Sequence, residues 1–295
     1  MQDGLIVKGV GGLYTVDTKA GIIKAKPRGI FRKKEIAKSP VVGDLVSVSI
    51  LEEDENTGVI EKIHERKTLL IRPKVANVTQ ALIVFAYKEP DLHLDLLDRF
   101  IILCEWSGID CIIAFNKMDL LSEKKIEETE NIKNIYEKAG FRVVELSAWK
   151  NMGTDKVKST LYGEVTVFAG PSGAGKSSIF NAISGKELME IGELSSKIRR
   201  GKHTTRHSQL IKFADDSYIV DSPGFSSLDL TGIAGDELKN LFREFKEQSI
   251  ECRFVDCNHI DEPDCMVKQG VSSGLISDIR YKRYLSFYEQ LRGGK

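Results

Sequence analysis

Residues 170–177 have the types and spacing of a phosphate-binding loop. They read Gly-Pro-Ser-Gly-Ala-Gly-Lys-Ser, which matches the pattern G-x-x-x-x-G-K-S. A predicted strand at residues 165–169 precedes the loop and a predicted helix begins at Lys176, so backbone N–H groups and the helix dipole converge on phosphate oxygens. We expect Lys176 to reach the β and γ phosphates and Ser177 to ligate Mg²⁺. The residues expected to contact the nucleotide in this loop are Gly170, Pro171, Ser172, Gly173, Ala174, Gly175, Lys176, Ser177 and Ser178.

An Asn-Lys-Met-Asp sequence at residues 116–119 predicts that the bound base is guanine. It follows a predicted buried strand, so it emerges at the carboxyl end of that strand. There Asp119 can accept from both N1–H and the exocyclic amine of guanine, a donor pair that adenine lacks. After another predicted strand, Ser147 and Ala148 are expected to supply a backbone N–H to guanine O6. The residues expected to recognise guanine are Asn116, Lys117, Met118, Asp119, Ser147 and Ala148.

Two further segments are expected to sense Mg²⁺ and the γ-phosphate. Asp221 and Gly224 belong to an Asp-Ser-Pro-Gly sequence after a predicted strand, where the carboxylate can hold Mg²⁺ through water and the glycine N–H can meet the γ-phosphate. Residues 200–206 are a candidate first switch, in which a Thr closes over Mg²⁺ only while the γ-phosphate is present. Spacing favours Thr205 for this contact, with Thr204 next. Together, the five elements predict a GTPase.

The residue after Gly224 is unusual for a GTPase. It is Phe225, at the position where many GTPases place the Gln that orients the attacking water. A phenyl ring cannot do this, so intrinsic hydrolysis is expected to be slow unless another group or a partner orders the water. His203 is our candidate catalytic residue, because a neutral imidazole can accept a hydrogen bond from water. The alternative is that His203 contacts only a partner or solvent.

The order of the nucleotide elements predicts a circular permutation. In most GTPases the guanine-reading elements follow the phosphate-binding loop, whereas here Asn116 precedes Gly170 by 54 residues. Domain termini often lie close together, so they can be joined and reopened elsewhere without disturbing the fold.

Three cysteines and one histidine near the carboxyl end predict a structural zinc site. Cys252, Cys257, His259 and Cys265 read Cys-x4-Cys-x-His-x5-Cys, and three thiolates with one imidazole complete a tetrahedron with no open position for water. The alternative is a chance cluster of reduced thiols. Five cysteines are an odd number in a chain with no evident export signal, which disfavours a disulfide framework. The other two, Cys104 and Cys111, lie in apolar surroundings and are expected to pack in a core.

The pattern along the chain predicts three domains. Residues 1–68 contain five short predicted strands separated by turn residues, which favours a small closed or partly open barrel, of which the five-stranded oligonucleotide-binding barrel is one kind. Residues 69–226 alternate strands and helices, which predicts a mostly parallel α/β sheet. Residues 227–295 carry the Cys/His cluster between predicted helices at 237–245 and 276–291.

Composition excludes several classes of protein. The chain has 295 residues, 41% of them hydrophobic, and 43 basic residues balance 43 acidic ones. Its longest strongly apolar run, residues 81–87, is far shorter than the span of about 20 residues that a membrane helix needs, so we expect a cytoplasmic protein with no membrane partner. The zero net charge conceals basic stretches: residues 24–38 hold seven basic residues and one acidic residue, and residues 195–212 hold six and none. Local patches of this kind, and not the total, govern binding to a phosphate backbone.

Taken together, the motifs resemble the bacterial ribosome small-subunit-dependent GTPase A (RsgA) family. The likeness covers essentially the whole chain and includes Arg-Gly-x-Phe-Arg-Lys at 28–33, Pro-Val-Val-Gly-Asp-x-Val at 40–46, Arg72-Pro73, the nucleotide elements, and the Cys/His cluster with Glu262-Pro263. The resemblance implies an OB-fold barrel, a circularly permuted GTPase domain and a helical zinc-binding domain. It also implies a role in late maturation of the small ribosomal subunit, whose rRNA and proteins would be partners and would stimulate GTP hydrolysis.

Two other functions remain open on the residues alone. One is a regulatory GTPase whose flanking modules bind only proteins and which has no ribosomal role. The other is a P-loop nucleotide kinase, which would not need residues 116–119. Nothing in the sequence requires a dimer, so we expect a monomer that binds GTP or GDP with Mg²⁺.

Overall fold

A computed structural model of the chain describes residues 1–29, 39–51, 54–71, 73–184, 208–221, 229–230 and 232–293, and in it five amino-terminal strands close into a barrel. The strands are β1 (Gln2–Val10), β2 (Leu13–Thr18), β3 (Gly21–Pro27), β4 (Leu45–Leu51) and β5 (Asp54–Ile63). β1 pairs antiparallel with β2 and β4, and β3 pairs in parallel with β5, which closes the ring. The five-stranded barrel predicted from the sequence is therefore confirmed.

Alternation of apolar and polar residues explains why these segments fold as strands around one core. Ile6, Val16 and Ile23 on three neighbouring strands are buried inside the barrel. Lys24 and Lys26 alternate with buried residues of β3 and are exposed on the outer face. A period of two residues is what a strand with one buried face requires.

The central part of the chain alternates strands and helices, as predicted. The further strands are β6 (Leu69–Ile71), β7 (Lys74–Ala76), β8 (Gln80–Ala86), β9 (Asp110–Asn116), β10 (Arg142–Glu145), β11 (Val165–Ala169), β12 (Gln209–Ala214) and β13 (Ser217–Asp221). The helices are α1 (Leu94–Trp106), α2 (Glu123–Lys138), α3 (Thr154–Thr160) and α4 (Lys176–Ser184). Cys104 on α1 and Cys111 on β9 are buried in the core, as the sequence predicts.

The sheet of this central part has the strand order β10-β9-β8-β11-β13-β12. All its strands are parallel except β12, which runs antiparallel to β13. The central strand β11, which leads into residues 170–177, is the fourth of the six in chain order. The strands β9 and β10, which end at Asn116 and Glu145, precede β11 in the chain, as the predicted circular permutation requires.

Barrel and α/β sheet are joined by strand pairing. Lys8 of β1 pairs with Gln209 of β12, so the barrel strands continue the central sheet. Beside this pairing, the Tyr218 hydroxyl donates to Asp17 of β2 at 2.7 Å, and the Lys212 ammonium lies 3.1 Å from the same carboxylate. The barrel is therefore fixed to the two strands that border the predicted switch segments.

The carboxyl-terminal region packs as short helices against α1. It contains 3₁₀ segments at Leu238–Leu241 and Arg243–Phe245, followed by α5 (Lys246–Ser249), α6 (Met266–Ser272) and α7 (Asp278–Gly293). The single helix expected at 237–245 is wrong, because Phe242 has an extended backbone. This break lets Phe242 and Phe245 both pack on Tyr284, with ring centroids 5.3 and 5.0 Å away. Across the described residues, no helix combines the length and apolar character needed to cross a membrane.

A buried arginine joins this region to the α/β domain. Arg280 of α7 is fully buried and lies 2.6 Å from Asp98 of α1 and 2.7 Å from Glu244. The hydroxyl of Tyr136 on α2 also donates to Asp98, at 3.0 Å. Burial alone would lower the pKa of Arg280, but the two carboxylates raise it above its ordinary value, so the guanidinium stays charged. Four elements, α1, α2, α7 and the 3₁₀ segment that contains Glu244, thus meet at one ion cluster.

Replacing Arg280 with Met is expected to lower the free energy of unfolding by about 3–5 kcal/mol, because two buried carboxylates lose their partner. The matched control is Arg283→Met on the same helix, whose guanidinium is partly exposed and lies 3.6 Å from Asp95. That change is expected to cost at most about 1 kcal/mol. Equilibrium unfolding in urea, followed by circular dichroism, measures both values. Equal losses would contradict the role assigned to Arg280.

Candidate functional site

The residues expected to bind nucleotide gather at one edge of the central sheet. β8, β9, β10, β11 and β13 are parallel, so the loops that follow them emerge on the same side. These loops contain Asn116, Ser147, Gly170 and Asp221. Segments far apart in the sequence therefore form a single site.

Close approaches of neighbouring groups explain the first and last glycines of the phosphate-binding loop. Gly170 has a φ of +127°, and a Cβ there would lie 2.0 Å from the carbonyl oxygen of Val84. Gly175 has a φ of +95°, and a Cβ there would lie 2.2 Å from Nδ2 of Asn116. Only glycine fits both the backbone conformation and the space. The loop then passes directly into α4, whose first turn presents free N–H groups to the same space.

Lys176 at the start of α4 folds back onto the loop. Its ammonium donates to the carbonyl oxygens of Gly170 at 2.8 Å and Pro171 at 2.7 Å. The side chain is buried, and burial lowers the pKa of Lys176 to about 8. Ser177 beside it is also buried, whereas Ser172 in the middle of the loop is exposed. The carbonyl groups hold the ammonium where a phosphate oxygen would compete for it.

Asn116 joins the guanine-reading loops to the phosphate-binding loop. Its Nδ2 donates to the carbonyl oxygen of Ala174 at 3.0 Å, and its Oδ1 accepts from the backbone N–H of Ala148 at 3.0 Å. The side chain is buried. The N–H that the sequence assigns to guanine O6 is therefore engaged by Asn116 in this structure.

The next three residues of predicted guanine recognition, residues 117–119, are also engaged by protein groups. The carboxylate of Asp119 accepts from the hydroxyl of Ser147. Lys117 has a left-handed backbone, and its ammonium donates to the carbonyl oxygen of Glu89. Met118 between them donates its N–H to the carbonyl oxygen of Leu146 at 3.2 Å. These contacts keep the loops after β9 and β10 together.

The turn after β8 is a part of the site that the sequence analysis missed. Glu89 accepts from Lys117, and a Cβ on Gly173 would lie 3.7 Å from Cδ of Pro90. The turn thus lies between the guanine-reading and phosphate-binding loops. The signal that could have found it is its position, since it follows a buried strand and must emerge at the same edge as residues 116–119.

Asp221 lies at the end of β13 and faces the neighbouring strand. Its carboxylate accepts from Nε2 of Gln209 at 2.8 Å, and Gln209 is the residue of β12 that pairs with Lys8 of the barrel. The other residues expected at the γ-phosphate, His203, Thr204, Thr205 and Gly224, lie outside the described residues, as does Phe225.

The four predicted metal ligands form one compact cluster. The ligand atoms of Cys252, Cys257, His259 and Cys265 all lie within 4.8 Å of one another. Nδ1 of His259 faces the thiols, 3.4 Å from Sγ of Cys265 and 3.7 Å from Sγ of Cys252. Burial lowers the pKa of His259 to about 4, so the imidazole is neutral near pH 7 and able to ligate. Soft sulfur donors with one imidazole fit a metal such as zinc.

Hydrogen bonds to the backbone hold this cluster in shape. The carboxylate of Glu262 accepts from the N–H groups of Asn258 at 2.7 Å and Ile260 at 2.8 Å. On α7, Tyr281 donates to the carbonyl oxygen of His259 at 2.7 Å, and Tyr284 donates to that of Asn258. The two tyrosines were not predicted as part of the site, although their spacing of three residues puts them on one helix face.

The strand order, the glycine loop and the guanine-reading loops define a circularly permuted P-loop GTPase with a barrel before it and a Cys/His cluster after it. Comparison with known protein families gives matches over most of the chain. The RsgA GTPase family profile matches residues 63–231, and the RsgA N-terminal domain profile matches residues 3–60. The chain therefore belongs to the RsgA family of GTPases.

Relatives of known name are similar along their full length. The small ribosomal subunit biogenesis GTPase RsgA of Clostridium perfringens (strain SM101) is 47% identical over 290 residues, covering 98% of each chain. That of Clostridium beijerinckii is 46% identical and covers 98% of this chain and 97% of its own. The crystal structure of YjeQ from Thermotoga maritima gives a TM-score of 0.86 at 35% identity, covering 100% of this chain and 99% of that one. The crystal structure of YloQ, a circularly permuted GTPase, gives a TM-score of 0.84 at 34% identity, covering 100% of this chain and 96% of that one.

Nucleotide binding is expected to raise the pKa of Lys176, because phosphate oxygens favour the charged ammonium that burial disfavours. With a pKa of about 8 in the free protein, part of the population is neutral above that pH and takes up a proton on binding. Affinity for GDP is therefore expected to fall as the pH rises from about 7 to about 9. Calorimetry in two buffers of different ionisation enthalpy measures this uptake.

The variant Lys176→Met removes the titrating group and is expected to abolish the uptake. Lys150→Met is the matched control, because that ammonium lies on the exposed part of the loop after β10. Equal proton uptake by both variants would show that another group titrates.

Proposed function

We propose that this chain binds the small ribosomal subunit, hydrolyses GTP to GDP and phosphate there, and acts in late maturation of the subunit. The observation that carries the proposal is the joining of guanine-reading and phosphate-binding loops by Asn116, in a chain 47% identical to a small ribosomal subunit biogenesis GTPase. A cytoplasmic location follows from this role, because small subunits are assembled there.

In this proposal the protein contacts around the nucleotide loops are exchanged for contacts with GTP. Lys176 leaves the carbonyl oxygens of the loop for the β and γ phosphates, and Asp119 turns from Ser147 to N1–H and the amine of guanine. The N–H of Ala148 turns from Oδ1 of Asn116 to guanine O6, while Nδ2 of Asn116 keeps its hydrogen bond to the carbonyl oxygen of Ala174. Each exchange replaces one hydrogen bond by another, so the site is organised before the nucleotide arrives.

Hydrolysis needs Mg²⁺ and an oriented water. Ser177 and Thr205 would hold Mg²⁺, with Asp221 contributing through water, and the cation would neutralise charge on the phosphates. The N–H of Gly224 would meet the γ-phosphate, and the adjacent Thr204 would support the first switch. His203 would order the attacking water, since Phe225 stands where many GTPases have Gln. Stimulation by the subunit would then consist of fixing His203 in place.

A row of polar residues on the outer face of the barrel supports contact with rRNA. Lys8, Thr15, Lys24 and Thr57 are directly paired across β1, β2, β3 and β5. Two ammonium groups and two hydroxyls in one line match the repeating charge of a phosphate backbone. Residues 30–38, which add further basic side chains, continue from the end of β3 in sequence.

We also propose that the Cys/His cluster holds one structural zinc ion. Three thiolates and one neutral imidazole fill the four positions that Zn²⁺ prefers, and the backbone hydrogen bonds of Glu262, Tyr281 and Tyr284 fix the loops that carry them. No position would remain for a substrate, so the ion would stabilise the fold of the carboxyl-terminal region.

The test of the proposed function is GTP turnover with and without purified small subunits. Without subunits we expect slow turnover, and with them stimulation by a factor of about 10 or more, because the subunit would fix His203 where it orients the attacking water. Large subunits are one control and are expected to leave the slow rate unchanged; ATP is the other and is not expected to be hydrolysed. Absence of both stimulation and GTP-dependent co-sedimentation would favour the alternative, a regulatory GTPase that binds only proteins.

In the same assay His203→Ala is expected to reduce the stimulated rate about 100-fold, a typical effect of losing a group that positions a reacting water. Co-sedimentation with subunits is expected to persist. His207→Ala, which removes the neighbouring imidazole, is the matched control. If His203→Ala turns over GTP as fast as the parent chain, His203 contacts only the partner or solvent.

Elemental analysis of the purified parent is expected to find about one zinc ion per chain. Replacing Cys257 with Ser is expected to abolish zinc binding. The same change is expected to lower the unfolding temperature, because the metal links Cys252, His259 and Cys265. Cys104→Ala removes a buried thiol outside the cluster and should keep the zinc. Parent protein without zinc, or Cys257→Ser protein with it, would contradict the site.

A further inference from the structure

Residues 250–256, which we call the knuckle loop, expose apolar side chains beside the candidate metal centre. Val255 is fully exposed, Ile250 is 81% exposed and Phe254 is 41% exposed. Single exposed apolar residues are ordinary, but three within six positions of one short loop are typical of an interaction surface.

The knuckle loop is held in a shape that keeps these side chains outside. It is anchored by two predicted metal ligands, Cys252 within it and Cys257 directly after it. The N–H of Cys252 donates to the carbonyl oxygen of Ser249 at 3.2 Å, and the N–H of Cys257 donates to that of Phe254 at 3.2 Å, so each cysteine closes a tight turn. The guanidinium of Arg253 stacks 5.6 Å from the ring of Phe254 and pairs with Asp264 at 2.9 Å. Both anchors face the metal centre, and Phe254 and Val255 between them are exposed, as is Ile250 just before the first anchor. The exposed surface is therefore preorganised, which lowers the cost of binding.

The surroundings of the knuckle loop are acidic, unlike the barrel face. Residues 246–264 contain six acidic and two basic residues, and one of the two, Arg253, is already paired with Asp264. A divalent metal held by three thiolates and a neutral imidazole would leave one more negative charge. The exposed acidic residues are Glu247, Glu251, Asp256, Asp261 and Asp264.

We propose that the knuckle loop docks on a basic, partly apolar protein surface of the small ribosomal subunit and not on its rRNA. This proposal rests on the proposed function and adds that the barrel contacts rRNA whereas the knuckle loop contacts protein. A phosphate backbone would be repelled by the carboxylates, whereas a basic protein surface would pair with them and cover Ile250 and Val255. A second copy of this chain would bring two acidic loops together, which disfavours self-association here.

Charge reversal tests the proposal, because it is expected to change binding to the intact subunit and binding to free rRNA differently. Glu251→Lys/Asp256→Lys is expected to weaken binding to intact small subunits about tenfold, but to leave binding to protein-free small-subunit rRNA unchanged or tighter. Lys8→Glu/Lys24→Glu in the barrel should do the opposite and weaken binding to that rRNA. The matched control is Glu127→Lys/Glu128→Lys, the same charge change on the exposed face of α2.

Removing the apolar contacts tests the other half of the proposal. Ile250→Ser/Val255→Ser is expected to weaken binding to intact subunits about tenfold, whereas Ile126→Ser, at an exposed apolar position of α2, should have little effect. Zinc content and unstimulated GTP turnover are measured for every variant, and both are expected to match the parent, which separates loss of contact from loss of fold.

Photocrosslinking identifies the partner directly. The change Val255→p-benzoylphenylalanine, in the full chain bound to purified small subunits with a non-hydrolysable GTP analogue, is expected to give an adduct with a basic subunit protein that resists ribonuclease. An adduct with rRNA alone, an adduct with a second copy of this chain, or binding without any adduct would overturn the inference while leaving the proposed function intact. Failure of the unmodified chain to co-sediment with subunits would overturn both.

Discussion

The candidate nucleotide site depends on the two hydrogen bonds of one buried amide, Asn116. Its donor holds the carbonyl oxygen of Ala174 in the phosphate-binding loop, and its acceptor holds the N–H of Ala148 in the second guanine-reading loop. Neither an aspartate nor a leucine of similar size could do both. The same side chain occupies the space beside Gly175, so the loop can pass it only without a Cβ. One residue thus sets the distance between the base and phosphate ends of the site.

The segments around this site contact both the barrel and the carboxyl-terminal region. β12 follows the predicted first switch in sequence and pairs with β1 of the barrel, while Asp221 at the end of β13 is held by Gln209 of β12. A rearrangement at Asp221 would therefore disturb β12, the strand that pairs with the barrel. On the other side, Arg280 fixes the carboxyl-terminal region to α1, whose preceding turn contains Glu89 of the site.

The class of protein and the Cys/His cluster could be predicted because both depend on short, local sequences. The glycine loop up to Lys176 and the Cys/His spacing that ends at Cys265 are such patterns, and the barrel follows from period-two alternation. What could not be predicted depends on contacts between distant segments. The pairing of Lys8 with Gln209, and the meeting of Arg280 with a carboxylate 182 positions earlier, leave no periodic signal in the sequence.

The net charge of zero is a sum over local surfaces of opposite charge. Basic side chains line the outer barrel face at Lys8 and Lys24, and acidic ones surround the knuckle loop. Each surface belongs to a unit that is firmly attached to the GTPase domain, one by strand pairing and the other by the buried Arg280 cluster. A partner that satisfied both surfaces would fix the orientation of the whole chain and hold β12 from one side and α1 from the other. The nucleotide loops lie between these two attachments, so such a partner could act on hydrolysis without touching the nucleotide.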